Sequence, residues 1–164
     1  LRALHGSSPL RLDTQLSAEA QKWAECLAAK GTLEHSKCNG YGENLAFHGS
    51  SVPTEYTGAQ AADQWYQEIQ KHDFNRNCFQ PNSDNFKDAR SRLITSFFYL
   101  LTGHFSQLVW KETDRCGFGK ASTPDGKRIY VVGRYQPPGN VEGEYKKNVL
   151  PLGSKVTTGE STIS

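Results

Sequence analysis

Five histidines stand among the residues able to do chemistry: His5, His35, His48, His72 and His104. His35 follows the end of a helical stretch and precedes the glycine-rich run that leads to Glu43. His104 stands at the start of another helical segment. Glu43 and Glu68 are each flanked by core-like residues, Leu45 and Ala46 in one case, Trp65 and Ile69 in the other. Neutral imidazole and carboxylate suit zinc, so two of each gathered in one cleft make a divalent-metal site, with an open position for water. The same four groups without a metal make a hydrogen-bonded polar network. Spacing does not choose between the two, because no HExxH pattern fixes a pair of ligands on one helix face.

A nucleophile is harder to nominate. Ser106 lies two residues after His104 and so points to a different helix face. No GxSxG elbow occurs. Cys116 stands in a strand-like run rather than at a helix start, where its thiolate would be favoured. Gly117-Phe118-Gly119-Lys120 lacks the further glycines and the helix of a phosphate loop.

The elements that must position these groups are legible in outline. Leu1 to His5 reads as the last turn of a helix closed by Gly6. Asp13 opens a helix whose face is Leu16, Ala20, Trp23 and Leu27, and Gly31 ends it. Residues 31–56 are loop-rich, with a helix-like piece at Glu43-Asn44-Leu45-Ala46. Thr57 caps a second helix running to about His72, and Glu68 borders its apolar stripe. Residues 73–92 are polar and irregular. The apolar run Leu93 to Leu101 suits a buried strand or a short helix. A further helix spans His104 to Lys111, and strands run over Cys116 to Ala121 and Ile129 to Tyr135, joined by a turn at Ser122 to Gly126. Trp65, Trp110, Tyr130 and Tyr135 are expected in the core. From Gly153 onward the Ser/Thr/Gly-rich composition reads as a disordered tail. Helices preceding an antiparallel pair of strands define an α+β sandwich rather than a doubly wound sheet.

Composition excludes several classes. The 164 residues suit one domain. Nineteen Lys and Arg against seventeen Asp and Glu leave a net charge of +2, too even to mark a nucleic-acid binder. No apolar run approaches the roughly 18 residues of a membrane span. Lys146, Lys147 and Lys155 offer modest attraction to an anionic surface, about 1 kcal/mol each when close to lipid. No signal-peptide pattern is visible, and methionine is absent, so the chain reads as processed or as a fragment. Cys26, Cys38, Cys78 and Cys116 permit two disulfides, but Cys26 lies in a helical pattern as a buried thiol, and reduced cysteines are expected.

Several motifs together resemble one family. Gly103-His104-Phe105-Ser106-Gln107-Leu108-Val109-Trp110 resembles the first signature of the CAP superfamily, which holds cysteine-rich secretory proteins, insect venom antigens and plant pathogenesis-related proteins. Tyr130 to Val141 resembles its second signature. His35-Ser36, Gly42-Glu43-Asn44-Leu45-Ala46 and Trp65 to Ile69 are similar to its His, GEN and second-Glu elements. The resemblance spans residues 1 to about 151, giving a CAP (SCP) domain over 1–152 and a tail over 153–164. It implies a three-layer α-β-α sandwich with most of the first helix missing and an insertion near 82–101. It implies further that His35, Glu43, Glu68 and His104 line one cleft able to bind zinc or another divalent cation. Secreted relatives pair a cysteine with the equivalent of Cys116, and here that second position is Gly133, as suits an intracellular branch. Members of that branch associate peripherally with Golgi or other membranes, bind anionic lipid and form homodimers. The expected function is therefore a non-enzymatic binding module for an anionic membrane surface or a protein partner, without nucleic acid. The alternatives are a metal-dependent or His-based hydrolase and a secreted immune or venom-type effector.

Overall fold

The computed structural model describes residues 1–37, 40–80 and 103–156. The expected insertion at 82–101, its apolar run, Cys38 and most of the expected tail lie outside the described residues. One sheet holds four strands in the order β1-β3-β4-β2: β1 Arg11–Leu12, β2 Gly42–Gly49, β3 Arg115–Ser122 and β4 Arg128–Gln136. β2 and β3 flank β4 antiparallel, and β1 adds to β3 in parallel. The expected hairpin is β3–β4, with Cys116 opposite Tyr135 and Ser122 opposite Ile129.

Both faces of the sheet are covered. Side chains alternate along a strand, so Leu45, Tyr130 and Val132 meet Ala20, Ala24, Leu27 and Ala28 of α1 (Thr14–Lys30) on one face. On the other, Ala46, Ile129 and Val131 meet Tyr56 and, from α2 (Gly58–Tyr66), Ala61 and Trp65. The short α3 (His104–Val109) shares the α2 layer, and its Phe105 and Val109 pack with Tyr145 of α4 (Tyr145–Asn148). The result is the expected α+β, three-layer α-β-α sandwich. Trp65, Trp110, Tyr130 and Tyr135 are all buried in it.

Local chemistry fixes the helices that frame the site. The Asp13 carboxylate accepts the backbone N–H groups of Gln15 and Leu16, both at 2.9 Å, and α1 ends at Gly31. Thr57 and Gln60 form a reciprocal capping box at the start of α2. Beyond Tyr66 the chain tightens into a 3-10 turn, Gln67–Lys71, so the helix expected to reach His72 is regular only to Tyr66. Arg2 closes the far end of α3. Its guanidinium donates to the carbonyls of Leu108 (3.1 Å), Trp110 (2.9 Å) and Thr113 (2.9 Å), groups left open where a helix stops. Burial lowers the Arg2 pKa to about 10, which leaves it charged at neutral pH.

Three expectations are corrected. Glu43-Asn44-Leu45-Ala46 is not helical but lies in β2, paired along its length with β4. Leu45, Ala46 and Asn44 are all buried because layers cover both faces, so no polar alternation marks the strand. Cys26 is only half buried, whereas Cys116 is the buried thiol; both, with Cys78, are unpaired. Gly153 and Ser154, at the start of the expected tail, are tied down: the Gly153 N–H donates to the Leu4 carbonyl at 2.9 Å and Ser154 bridges His5.

α1 sits directly on β3 because β3 presents no side chain at two inward positions. A Cβ at Gly117 would lie 2.2 Å from the Ser17 nitrogen, and one at Gly119 would lie 2.3 Å from the Gln21 nitrogen. Gly119→Ala is therefore expected to lower stability by about 1–3 kcal/mol through overpacking. Gly58→Ala, at an exposed helix start where a Cβ meets nothing within 4 Å, leaves stability unchanged or raises it by about 0.4–1 kcal/mol. Urea midpoints at constant slope check both, and equal midpoints for the two variants would contradict this packing.

Candidate functional site

Glu68 stands on the 3-10 turn after α2, in reach of the first residues of α3. One carboxylate oxygen accepts the backbone N–H of His104 (3.0 Å) and of Phe105 (3.2 Å). The other meets His104 Nδ1 at 2.7 Å. Glu68 thus caps α3 and orients the His104 ring together. A carboxylate only accepts, so Nδ1 carries the ring proton and Nε2 keeps the lone pair in the neutral imidazole. The His104 ring stacks at 6.1 Å on Trp65, and its side chain is 4% exposed. Its Nε2 is buried without a hydrogen-bond partner. Buried polar atoms are rarely left so.

The second pair belongs to the loop after α1 and the first residues of β2. His35 Nδ1 meets a Glu43 oxygen at 2.8 Å, and the Ser36 N–H and hydroxyl donate to the same carboxylate at 2.9 and 2.8 Å. Burial alone would raise the Glu43 pKa, but the donors from His35 and Ser36 outweigh it and hold the carboxyl below its ordinary value. Beneath it lies Arg134 of β4, whose Nε is 3.5 Å from Glu43 and whose Nη1 donates to Glu19 of α1 at 3.1 Å. The guanidinium also stacks over Tyr41 at 4.2 Å. An open cleft of about 900 Å³ lies beside this pair, walled by Trp23, Lys30, Glu34, His35 and Tyr41 over Arg134.

The four candidate residues therefore meet as two pairs, His35 with Glu43 and His104 with Glu68. Alternation along β2 explains the division. Glu43 falls on the α1 face with Arg134 and Leu45, while Asn44 and Ala46 face the α2 and α3 layer. Among the described residues no group of three or more His, Cys, Asp or Glu side chains converges in a form that could hold a metal ion. Asn44 links the pairs: it neighbours Glu43 in the chain and donates Nδ2 to the His104 carbonyl at 3.1 Å. Gly42 makes room for α3, since a Cβ there would lie 1.8 Å from Gln107 Oε1. Asn44, Ser36, Arg134 and Gln107 are the residues that sequence reasoning missed. A buried Asn and a buried Arg inside strands are the signals that point to two of them.

The chain belongs to the CAP family: residues 1–135 match the family described as cysteine-rich secretory protein family. It is 39% identical over 155 residues to human Golgi-associated plant pathogenesis-related protein 1, covering 92% of this chain and 85% of that protein. It is 32% identical over 152 residues to Protein PRY2 of Saccharomyces cerevisiae, covering 92% of this chain but 38% of the yeast protein. Among solved structures it is similar to BmVAL-1, with a TM-score of 0.59 and 27% identity over 88% of this chain and 65% of that one.

The Glu43–Arg134 contact yields a direct test. Their side chains are 7% and 4% exposed. Removing the cation with Arg134→Met leaves the buried Glu43 carboxylate with only the His35 and Ser36 donors and is expected to lower stability by about 1–3 kcal/mol. Adding Glu43→Gln should restore part of the loss, with a coupling of about 0.5–3 kcal/mol in a double-mutant cycle by urea unfolding. Strict additivity would show that the pair does not interact.

Proposed function

We propose that this CAP domain is a non-enzymatic binding module that holds a divalent cation through imidazole nitrogen and docks peripherally on anionic membrane. The single observation that carries the metal reading is the buried, unpartnered Nε2 of His104 behind a Glu68-anchored Nδ1. A carboxylate on the far nitrogen is the usual outer partner of a metal-bound histidine, fixing its tautomer and raising its basicity. His35 and Glu43 repeat the arrangement. In this reading the imidazoles of His35 and His104 are the donors, and Glu43 and Glu68 orient them. A bound divalent ion supplies Lewis acidity and an ordered positive charge.

Binding is favoured over hydrolysis by the serine hydroxyls beside His35 and His104. Ser36 donates to Glu43, and the single Ser106 hydroxyl hydrogen is taken by Asn140 Oδ1, with the Gly103 carbonyl next nearest at 3.2 Å, so neither hydroxyl is presented to an imidazole base. The membrane reading is supported by the name of the human relative, which is Golgi-associated. Lys147 is engaged by Glu112 at 2.5 Å and by Glu144 at 3.5 Å, so Lys146 and Lys155 carry the attraction of the C-terminal segment. Two lysines give weak binding that salt screens.

Titration calorimetry with zinc tests the metal site. His104→Ala should abolish heat from that site while circular dichroism stays native, and Glu68→Gln should weaken affinity by about 10–100-fold. Unchanged zinc binding by His104→Ala rejects the assignment. On liposomes, retention should need anionic lipid and fall as salt rises from 50 to about 300 mM. Salt-independent retention would instead indicate a hydrophobic anchor.

A further inference from the structure

The function proposed above makes no use of His5 and His72, although both pack against one aromatic cluster. His5 is fully buried. Its ring stacks on Phe74 at 6.2 Å and meets Phe105 edge-on at 5.3 Å and Tyr66 at 5.7 Å. His72, half-buried, meets the same Phe74 at 4.8 Å and Phe105 at 5.2 Å. The polar contacts of His5 cross the molecule: Nδ1 lies 2.6 Å from the Leu150 carbonyl and Nε2 lies 2.9 Å from the Tyr66 hydroxyl. A carbonyl only accepts, so Nδ1–H donates to Leu150, and Nε2 accepts from Tyr66. Both ring nitrogens are satisfied in the neutral ring, and both partners are uncharged.

His5 is also where the two ends of the domain join. It bridges Ser154, and the adjacent Leu4 carbonyl accepts the Gly153 N–H at 2.9 Å. The Gly6 backbone lies so close to Lys155 that a Cβ there would sit 2.7 Å from its carbonyl oxygen. Through Tyr66 and Phe105 the same ring touches the end of α2 and the start of α3, the elements beside Glu68 and His104.

We propose that His5 and His72 form an acid-sensitive clasp, whose protonation at mildly acidic pH releases the 150–155 segment and the N-terminal turn from the α2 and α3 layer. A second proton on His5 goes to Nε2 and ends its acceptance of the Tyr66 hydroxyl hydrogen, which must turn away into the aromatic cluster. No carboxylate is hydrogen-bonded or ion-paired to His5 among the described residues. The charged and titratable groups around it are His72, Tyr66 and the Leu1 amino group, none of them a stabilising anion. Asp73, which favours the charged form of His72, is exposed and accepts hydrogen bonds from Asn75. The aromatic faces attract a cation, but they replace only part of the hydration that burial removes. Burial holds both histidines below their ordinary value of 6.5. The sign follows: below pH 6.5 the unfolded or opened chain takes up protons that the closed form excludes, so stability falls as pH falls.

The test uses the whole chain between pH 7.5 and 5.5, where carboxylates stay ionised. The unfolding equilibrium constant should rise by up to about tenfold per pH unit for each of the two histidines. Hydrogen exchange at Gly153 should quicken relative to β4 over the same range. His72→Phe keeps the aromatic packing, and His5→Asn keeps a donor for Leu150; each should flatten the pH dependence. If His5→Asn fails to fold, His72→Phe and the titration of the His5 ring protons by NMR carry the test. Parallel pH profiles for wild type and His72→Phe, an unchanged Gly153 protection at pH 5.5, or a His5 ring titrating at or above 6.5 would each overturn the clasp.

Discussion

A sheet buried on both faces leaves very little room for polar chemistry, and the candidate site is shaped by that constraint. β4 is buried from Ile129 through Tyr135, with α1 on one side and α2 with α3 on the other. Polar groups survive in such a place only at an edge or where partners satisfy them. β2 is an edge strand of the sheet, and its first residues carry the GEN motif. Because neighbouring residues on a strand point to opposite faces, Glu43 and Asn44 are committed to different layers. Two His/Glu pairs joined through Asn44 are the consequence.

The same constraint governs the buried charges. Arg134 lies on the α1 face of β4, almost without exposure, and is matched by Glu19 and Glu43. Among the described residues Arg2 is ion-paired to no carboxylate and donates to four carbonyls, of Ser8, Leu108, Trp110 and Thr113. The two arginines do different work. Arg134 links Glu43 to Glu19 of α1 across the strand face, while Arg2 ends α3 and fixes how far the helix bearing His104 can run. At the other end of α3 Glu68 accepts its first N–H groups. A helix of six residues is too short to hold itself in water, so its position depends on these two terminal contacts and on the packing of Phe105, Val109 and Trp110.

Much of this was legible in the sequence, for identifiable reasons. Asp13 and Gly31 delimit α1 because a carboxylate cap and a left-handed closing glycine are local signals. The β3–β4 hairpin follows from two apolar runs about a turn. β2 misled because Leu45 and Ala46 are buried on opposite faces, giving a continuous apolar run that periodicity cannot separate from a helix turn. The family resemblance supplied the four candidate residues, yet spacing could not show how they pair. That pairing rests on strand register and on a 3-10 turn, and neither has a strong local signature.

The environments of the histidines separate their roles. His104 is buried with one nitrogen satisfied by Glu68 and the other open. His5 is buried with both nitrogens satisfied, one by a carbonyl and one by a hydroxyl. His35 is 40% exposed beside an anchored carboxylate. An imidazole with a carboxylate-anchored Nδ1 has a fixed tautomer and a lone pair on Nε2, whereas one with both nitrogens engaged to neutral partners in a buried site is arranged to stay uncharged. Residue type is the same in each case. What differs is whether the atom opposite the ring is an anion, a neutral dipole or nothing, and that is decided by the layers on either side of the sheet.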